Sequence, residues 1–191
     1  MLRKAEIERI ESTLEEMFPE AFCELVHQNP FELVVAVALS AQATDVLVNK
    51  VTPDLFAAFP TPERLAVAPV EEIEAKIKRL GLYRNKAKNI KALAGQLLAL
   101  HDGEVPTDRA GLEALPGVGR KTANVVLSVA FDVPAFAVDT HVERVSKRLG
   151  ICRWKDNVTQ VEQTFIVPEN LIKYVLLVFT LVSCYFFFSG C

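Results

Sequence analysis

The sequence predicts an all-α protein. Apolar residues recur at helical spacing through most of the chain, prolines and glycines fall between those runs, and no run alternates convincingly with period two. At 191 residues and 51% hydrophobic content, the chain can bury one core or two small ones.

Each element has its own signal. Ile7, Ile10, Leu14 and Met17 recur at helical spacing among glutamates, giving a first amphipathic helix that ends near Pro19. Residues 31–39 are apolar nearly all round and read as a buried helix. Thr44 or Asp45 can cap the next helix. Thr61-Pro62 is a helix start with proline at its first position, and Pro69 separates that helix from residues 70–80. Residues 84–100 form another, with Ile90, Leu93, Leu97 and Leu98 inward. Residues 140–149 form a later helix, and Asp139 can serve as its N-cap.

The most specific stretch is Leu115-Pro116-Gly117-Val118-Gly119-Arg120-Lys121-Thr122-Ala123-Asn124. An amphipathic run at 108–114 leads into it and an apolar run at 125–131 leads out. Pro116 fixes φ, and the two glycines permit turns or close approach that side chains would block. This reads as helix, tight hairpin, helix. The N–H groups opening the second helix lack partners within it and can point at an anion. Such a site binds phosphate without reading sequence.

The net charge of −3 conceals a polarity along the chain. Residues 1–77 hold 6 basic and 14 acidic groups, residues 78–155 hold 14 and 7, and residues 156–191 hold 1 and 3. A basic middle is either an ordinary solvated surface or a polyanion-binding face. The glycine hairpin within it favours nucleic acid. Cys23, Cys152, Cys184 and Cys191 show no disulfide framework of a secreted protein. The N-terminus has no apolar stretch before its acidic helix and is not a signal peptide. The expected location is cytoplasmic, associated with the nucleoid if the source is a bacterium.

Lys121 falls in the first turn after the hairpin, beside Arg120. The positive end of the helix dipole and the guanidinium disfavour an ammonium there, which suits an amine nucleophile; pairing with a phosphate is the alternative. Asp139 is either a simple N-cap or a carboxylate with a chemical role. His141 could act as an acid or a ligand, but no second histidine has ligand spacing, which favours a structural or DNA-contacting role. Arg144, Lys147 and Arg148 extend the basic stretch, and Arg84, Lys86, Lys88 and Lys91 form an earlier one, either as solvated charges or as phosphate contacts.

The hairpin, followed by Ala137-Val138-Asp139-Thr140-His141, resembles the helix–hairpin–helix DNA glycosylases, specifically endonuclease III. Leu39-Ser40-Ala41-Gln42-Ala43-Thr44-Asp45 and Gly81-Leu82-Tyr83 carry the same likeness, which runs in order to about residue 163. The resemblance implies a six-helix domain at 22–132, holding the helix–hairpin–helix at about 108–131. It implies a second helical domain made of 1–21 and 133–163, C-terminally incomplete. It also implies a bifunctional glycosylase and abasic-site lyase of base excision repair. Lys121 is then the nucleophile and Asp139 its catalytic partner. Gln42 and Leu82 fill the gap left by a flipped nucleotide, in place of the blander roles of helix cap and core residue. Arg84, Leu115, Gly117, Val118, Gly119, Arg120, Thr140, His141 and Arg144 are the further DNA contacts. The substrate is duplex DNA with an oxidised pyrimidine or an abasic site.

The likeness stops where the family closes with four cysteines around a 4Fe–4S cluster. Here the stretch from Thr164 holds only Glu169 and Lys173 as charges, and Cys184 and Cys191 alone have a matching spacing. Four thiolates are the usual ligand set, so no cluster and no other cofactor or metal is expected. Residues 174–191 carry no charge, near the lower limit for a span of roughly 17–25 residues. A tail anchor, a packed element or a shifted reading frame are the readings, and the last is preferred because the change of character is abrupt. The expected protein is a monomer that binds damaged double-stranded DNA. A DNA-binding remnant without catalysis, or a membrane-tethered protein, are the alternatives.

Overall fold

The computed structural model describes residues 4–17, 19 and 23–166. Among them every regular element is a helix. The chain divides into two compact units: Glu24–Phe131 is one, and the other gathers residues from before and after it.

Helix α2 (Pro30–Ser40) is the centre of Glu24–Phe131. All of its residues between Pro30 and Ser40 are buried. A helix that is apolar all round must be enclosed, and α2 packs against α3 (Asp45–Ala58), α6 (Tyr83–His101) and α8 (Arg120–Phe131). Burying Leu33, Val34, Val35 and Leu39 stabilises the fold by about 1.5–3 kcal/mol per side chain before entropy is counted. The buried Glu32 is satisfied locally, its Oε2 accepting the Gln28 N–H at 2.8 Å.

Short helices α4 (Pro62–Val67) and α5 (Val70–Ile77) pack on α6, and α7 (Arg109–Ala114) packs on α8. Their starts follow side-chain chemistry. Asn29, Thr44, Thr61 and Asp108 accept the N–H groups of Glu32, Leu47, Arg64 and Gly111. On α6, Ile90, Leu93 and Leu97 are buried as their spacing predicts, while Leu98 is half-buried.

The other unit contains α1 (Lys4–Met17), α9 (Thr140–Arg148) and α10 (Val158–Phe165). Phe136, Val138, Val142, Ile151, Cys152 and Val161 form its core, with Ile10, Phe165 and Ile166 against them. The Phe136 and Phe165 rings stack with centroids 4.4 Å apart. Helix α10 opens with a reciprocal cap: Asn157 Oδ1 accepts the Gln160 N–H and Gln160 Oε1 accepts the Asn157 N–H, both at 2.9 Å. The packed unit thus includes Phe165 and Ile166, beyond residue 163. Glu169, Lys173, Cys184, Cys191 and the uncharged run at 174–191 lie outside the described residues. Among the described residues, no helix is long and apolar enough to cross a membrane.

Candidate active site

The hairpin is anchored from inside. Leu115 and Val118 are buried, and their N–H groups donate to the carbonyls of Leu112 and Leu115, each at 3.1 Å. These two residues therefore shape the hairpin from inside. Gly117 turns the chain at φ +81°, and a Cβ there would lie 3.2 Å from the Asn89 Cβ on α6. At Gly119 a Cβ would meet nothing within 4 Å. The two glycines differ: the fold requires the first, whereas nothing among the described residues excludes a side chain at the second. Arg109 Nε donates to the buried Asn124 Oδ1 at 3.0 Å, tying α7 to α8 across the hairpin. Arg120 faces Glu113 at 4.0 Å, and Lys121 stands exposed in the first turn of α8.

Asp45 is an electrostatic neighbour of Lys121. Asp45 opens α3 and is half-buried. Burial pushes its carboxyl above the usual value, Glu24 adds to the rise, and Lys121 opposes it. Asn49 lies one turn along α3 on the same face. Its Nδ2 donates to the Glu24 carbonyl at 2.7 Å and its Oδ1 accepts the Val26 N–H at 3.0 Å, so the strand of chain bearing Glu24 is fastened to α3. The sequence offered Asp45 only as a cap, a role that Thr44 takes. Nothing local in the sequence joins Glu24, Asp45 and Lys121, because the fold alone brings these segments together.

Gln42 and Leu82 share an unusual backbone, with φ of +55° and +57°. For a bulky residue, left-handed backbone costs about 1–2 kcal/mol. Leu82 is also 60% exposed, so it is not a core residue, and Gln42 is exposed and is not the cap of α3. Arg84 is exposed, with its guanidinium 5.5 Å from the Tyr83 ring centroid. Two of the four basic residues in this stretch turn away from solvent contact. Lys86 is 6% exposed, and Lys91 Nζ donates to the Ala68 carbonyl at 2.7 Å. The reason is register: Lys86 shares the inward stripe with Ile90, Leu93 and Leu97.

Asp139 belongs to the other unit. It caps α9, its Oδ1 accepting the N–H groups of His141 and Val142, both at 2.9 Å. Thr140 and Arg144 are exposed, and Arg144 Nη2 donates to His141 Nδ1 at 3.1 Å, which leaves the proton of a neutral His141 on Nε2.

Among the described residues no group of three or more His, Cys, Asp or Glu could hold a metal. Cys152 is buried in the second core, and burial raises its thiol above the ordinary value, the reverse of what a thiolate ligand needs. The described residues do not fit a four-thiolate cluster.

Comparison with known proteins matches residues 35–169 to the HhH-GPD superfamily base excision DNA repair proteins. The chain is similar to endonuclease III of Bacillus subtilis strain 168, 63% identical over 172 residues, covering 89% of this chain and 78% of that protein. It is similar to endonuclease III of Escherichia coli K12 at 50% identity over 171 residues, covering 88% and 81%. A solved structure of a trapped endonuclease III–DNA covalent intermediate, in an estranged-adenine complex, superposes with a TM-score of 0.87 at 57% identity, covering 93% of this chain and 84% of that one. With its helical fold and its glycine hairpin opening onto an exposed lysine, the chain belongs to the endonuclease III family of DNA glycosylase/lyases, within the HhH-GPD superfamily.

Proposed function

We propose that this protein excises oxidised pyrimidines from duplex DNA and cleaves the strand 3′ to the resulting abasic site, acting as a monomer through an imine on Lys121. The observation that carries the reading is the exposure of Lys121 in the first turn of α8, directly past the hairpin. A relative of this fold trapped covalently on DNA supports it. The hairpin backbone at Gly117 and Gly119 holds a phosphate. Gln42 and Leu82, exposed and already in the left-handed conformation, enter the stack vacated by the flipped nucleotide. Arg84, Arg120, Thr140, His141 and Arg144 make further DNA contacts. The Lys121 amine attacks C1′, the base departs with the bonding pair, and the imine then undergoes β-elimination. Asp139 stabilises the positive sugar in the transition state; the N–H groups of His141 and Val142 orient its carboxylate through Oδ1.

The test is borohydride trapping on a duplex with a single abasic site. A covalent adduct from the wild type that is absent from Lys121→Ala is the expected result. No adduct from folded protein that still binds the DNA would remove the catalytic reading and leave a DNA-binding protein.

A further inference from the structure

Helix α6 runs alongside the hairpin, and three side-chain amides mark the side that does so. Asn85, Asn89 and Gln96, spaced by four and seven residues, share that side of the helix, and Leu82 precedes them at its start. At the far end of this stripe Gln96 Nε2 donates to the Ala114 carbonyl at 3.1 Å, holding the entry to the hairpin. In its middle, a Cβ at Gly117 would lie 3.2 Å from Asn89 Cβ and 3.3 Å from Asn89 Nδ2. The side of α6 that touches the hairpin therefore also leads to Leu82.

The fold does not account for the Asn89 amide. Asn89 is exposed, and among the described residues its amide has no hydrogen-bond partner. Gln96 shows what an amide serving the hairpin does: it bonds a carbonyl at the hairpin's entry. Asn89 only rests its stem against the turn, a contact that the Cβ of alanine would make as well. Alanine would also favour the helix, since asparagine is the poorer helix former. What asparagine adds over a methyl group is a donor and an acceptor, open to solvent beside Gly117.

Taking the hairpin backbone as a phosphate site, as proposed above, we infer that Asn89 is a further DNA-binding residue. Its Nδ2 donates a hydrogen bond to a non-bridging oxygen of the phosphodiester backbone where that backbone passes the hairpin. The contact positions the duplex and reads no base. Arg84 and Lys88, exposed on the same two turns of α6, supply attraction without direction, and the amide supplies direction. Asn85, also exposed, stands one turn nearer Leu82 and continues this polar track between hairpin and wedge.

The experiment is fluorescence anisotropy of the full chain on a duplex bearing a tetrahydrofuran abasic-site analogue, over a range of salt, with thermal unfolding in parallel. Asn89→Ala keeps the stem against Gly117 and removes only the amide. It is expected to weaken binding about tenfold with the melting temperature unchanged. Its salt dependence should match the wild type, because a neutral amide displaces no counterion. Asn89→Asp sets a negative charge against the phosphate and should weaken binding about tenfold further. Asn89→Lys should bind more tightly than Asn89→Ala at low salt and steepen the slope of log affinity against log salt by about 0.9. An Asn89→Ala protein that binds as tightly as the wild type overturns the inference. So does an affinity loss that comes with lowered thermal stability and is no greater in Asn89→Asp, since the amide would then serve the hairpin alone. A wild type that does not bind the duplex would instead overturn the DNA reading on which the inference rests.

Discussion

Helices α6 and α8 each place a lysine close to their start and treat it in opposite ways. Lys86 is drawn inside, its Nζ has no hydrogen-bond partner among the described residues, and burial pulls its proton affinity below the ordinary value. Lys121 stays exposed, with Asp45 as an electrostatic neighbour. A helix start disfavours a cation in both places, so the dipole does not separate them. Register does. Lys86 falls on the stripe of Ile90, Leu93 and Leu97, whereas Lys121 precedes the buried face of α8 that begins at Ala123. The depressed proton affinity thus falls on a lysine that is not assigned to the chemistry. A perturbed group marks a burial problem as readily as a reactive centre.

The strongest way to break this contrast is to remove each lysine in turn. Lys121→Ala should eliminate the borohydride adduct while changing stability to urea by no more than about 0.5 kcal/mol, as for an exposed surface site. A Lys86 variant should do the reverse, changing stability and leaving the adduct. If both variants lose the adduct with stability intact, the division between a buried structural lysine and an exposed reactive one is wrong.

The hairpin glycines sharpen the same division between what the fold needs and what a ligand needs. Gly117→Ala puts a side chain at φ +81° with Asn89 3.2 Å away, so a loss of about 1–2 kcal/mol in urea unfolding is expected. Gly119→Ala meets no protein atom within 4 Å and should leave stability within about 0.5 kcal/mol. Its cost should appear only as weaker DNA binding, read by fluorescence anisotropy. Equal stability losses at the two positions would show that Gly119 also serves the fold. Leu82→Gly applies this logic to the wedge. Relief of left-handed backbone should offset the entropy cost of glycine to within about 1 kcal/mol, while excision from a lesion-bearing duplex falls. Unchanged excision would end the wedge role.

Much of this was legible in the sequence, for physical reasons that also mark its limits. Thr44, Thr61, Asp108 and Asp139 announce helix starts because a short oxygen-bearing side chain bonds N–H groups two or three residues on, a wholly local interaction. The apolar run of α2 announces its own burial. Asn157 and Gln160 at capping-box spacing open α10, a local cue that was not counted among the helix starts above. The inward turn of Lys86 was present in the i, i+4, i+7 spacing, but a charge among other charges reads as surface until the stripe is counted. The left-handed backbones of Gln42 and Leu82 and the meeting of Glu24, Asp45 and Lys121 had no such cue. Those features arise from tertiary packing, which single-sequence spacing does not encode.

The buried lysine gives the most diagnostic expected effect. An ammonium without a partner costs more to bury than a hydrophobic group of similar volume, so Lys86→Met should raise stability at neutral pH by about 1 kcal/mol. The sign with pH follows from its depressed proton affinity. The unfolded chain binds the Lys86 proton more tightly than the folded one, so raising the pH through the window below 10.5 removes the cost in the wild type. That cost is fully present below the folded value and absent above 10.5. The methionine variant has no proton to lose there. Its advantage should therefore shrink as urea unfolding is repeated from neutral toward alkaline pH. A variant that is less stable than the wild type at neutral pH, or an advantage that does not shrink, would mean that Lys86 is stabilised inside the protein. The contrast between α6 and α8 would then lie in the partners of the two lysines, not in their exposure.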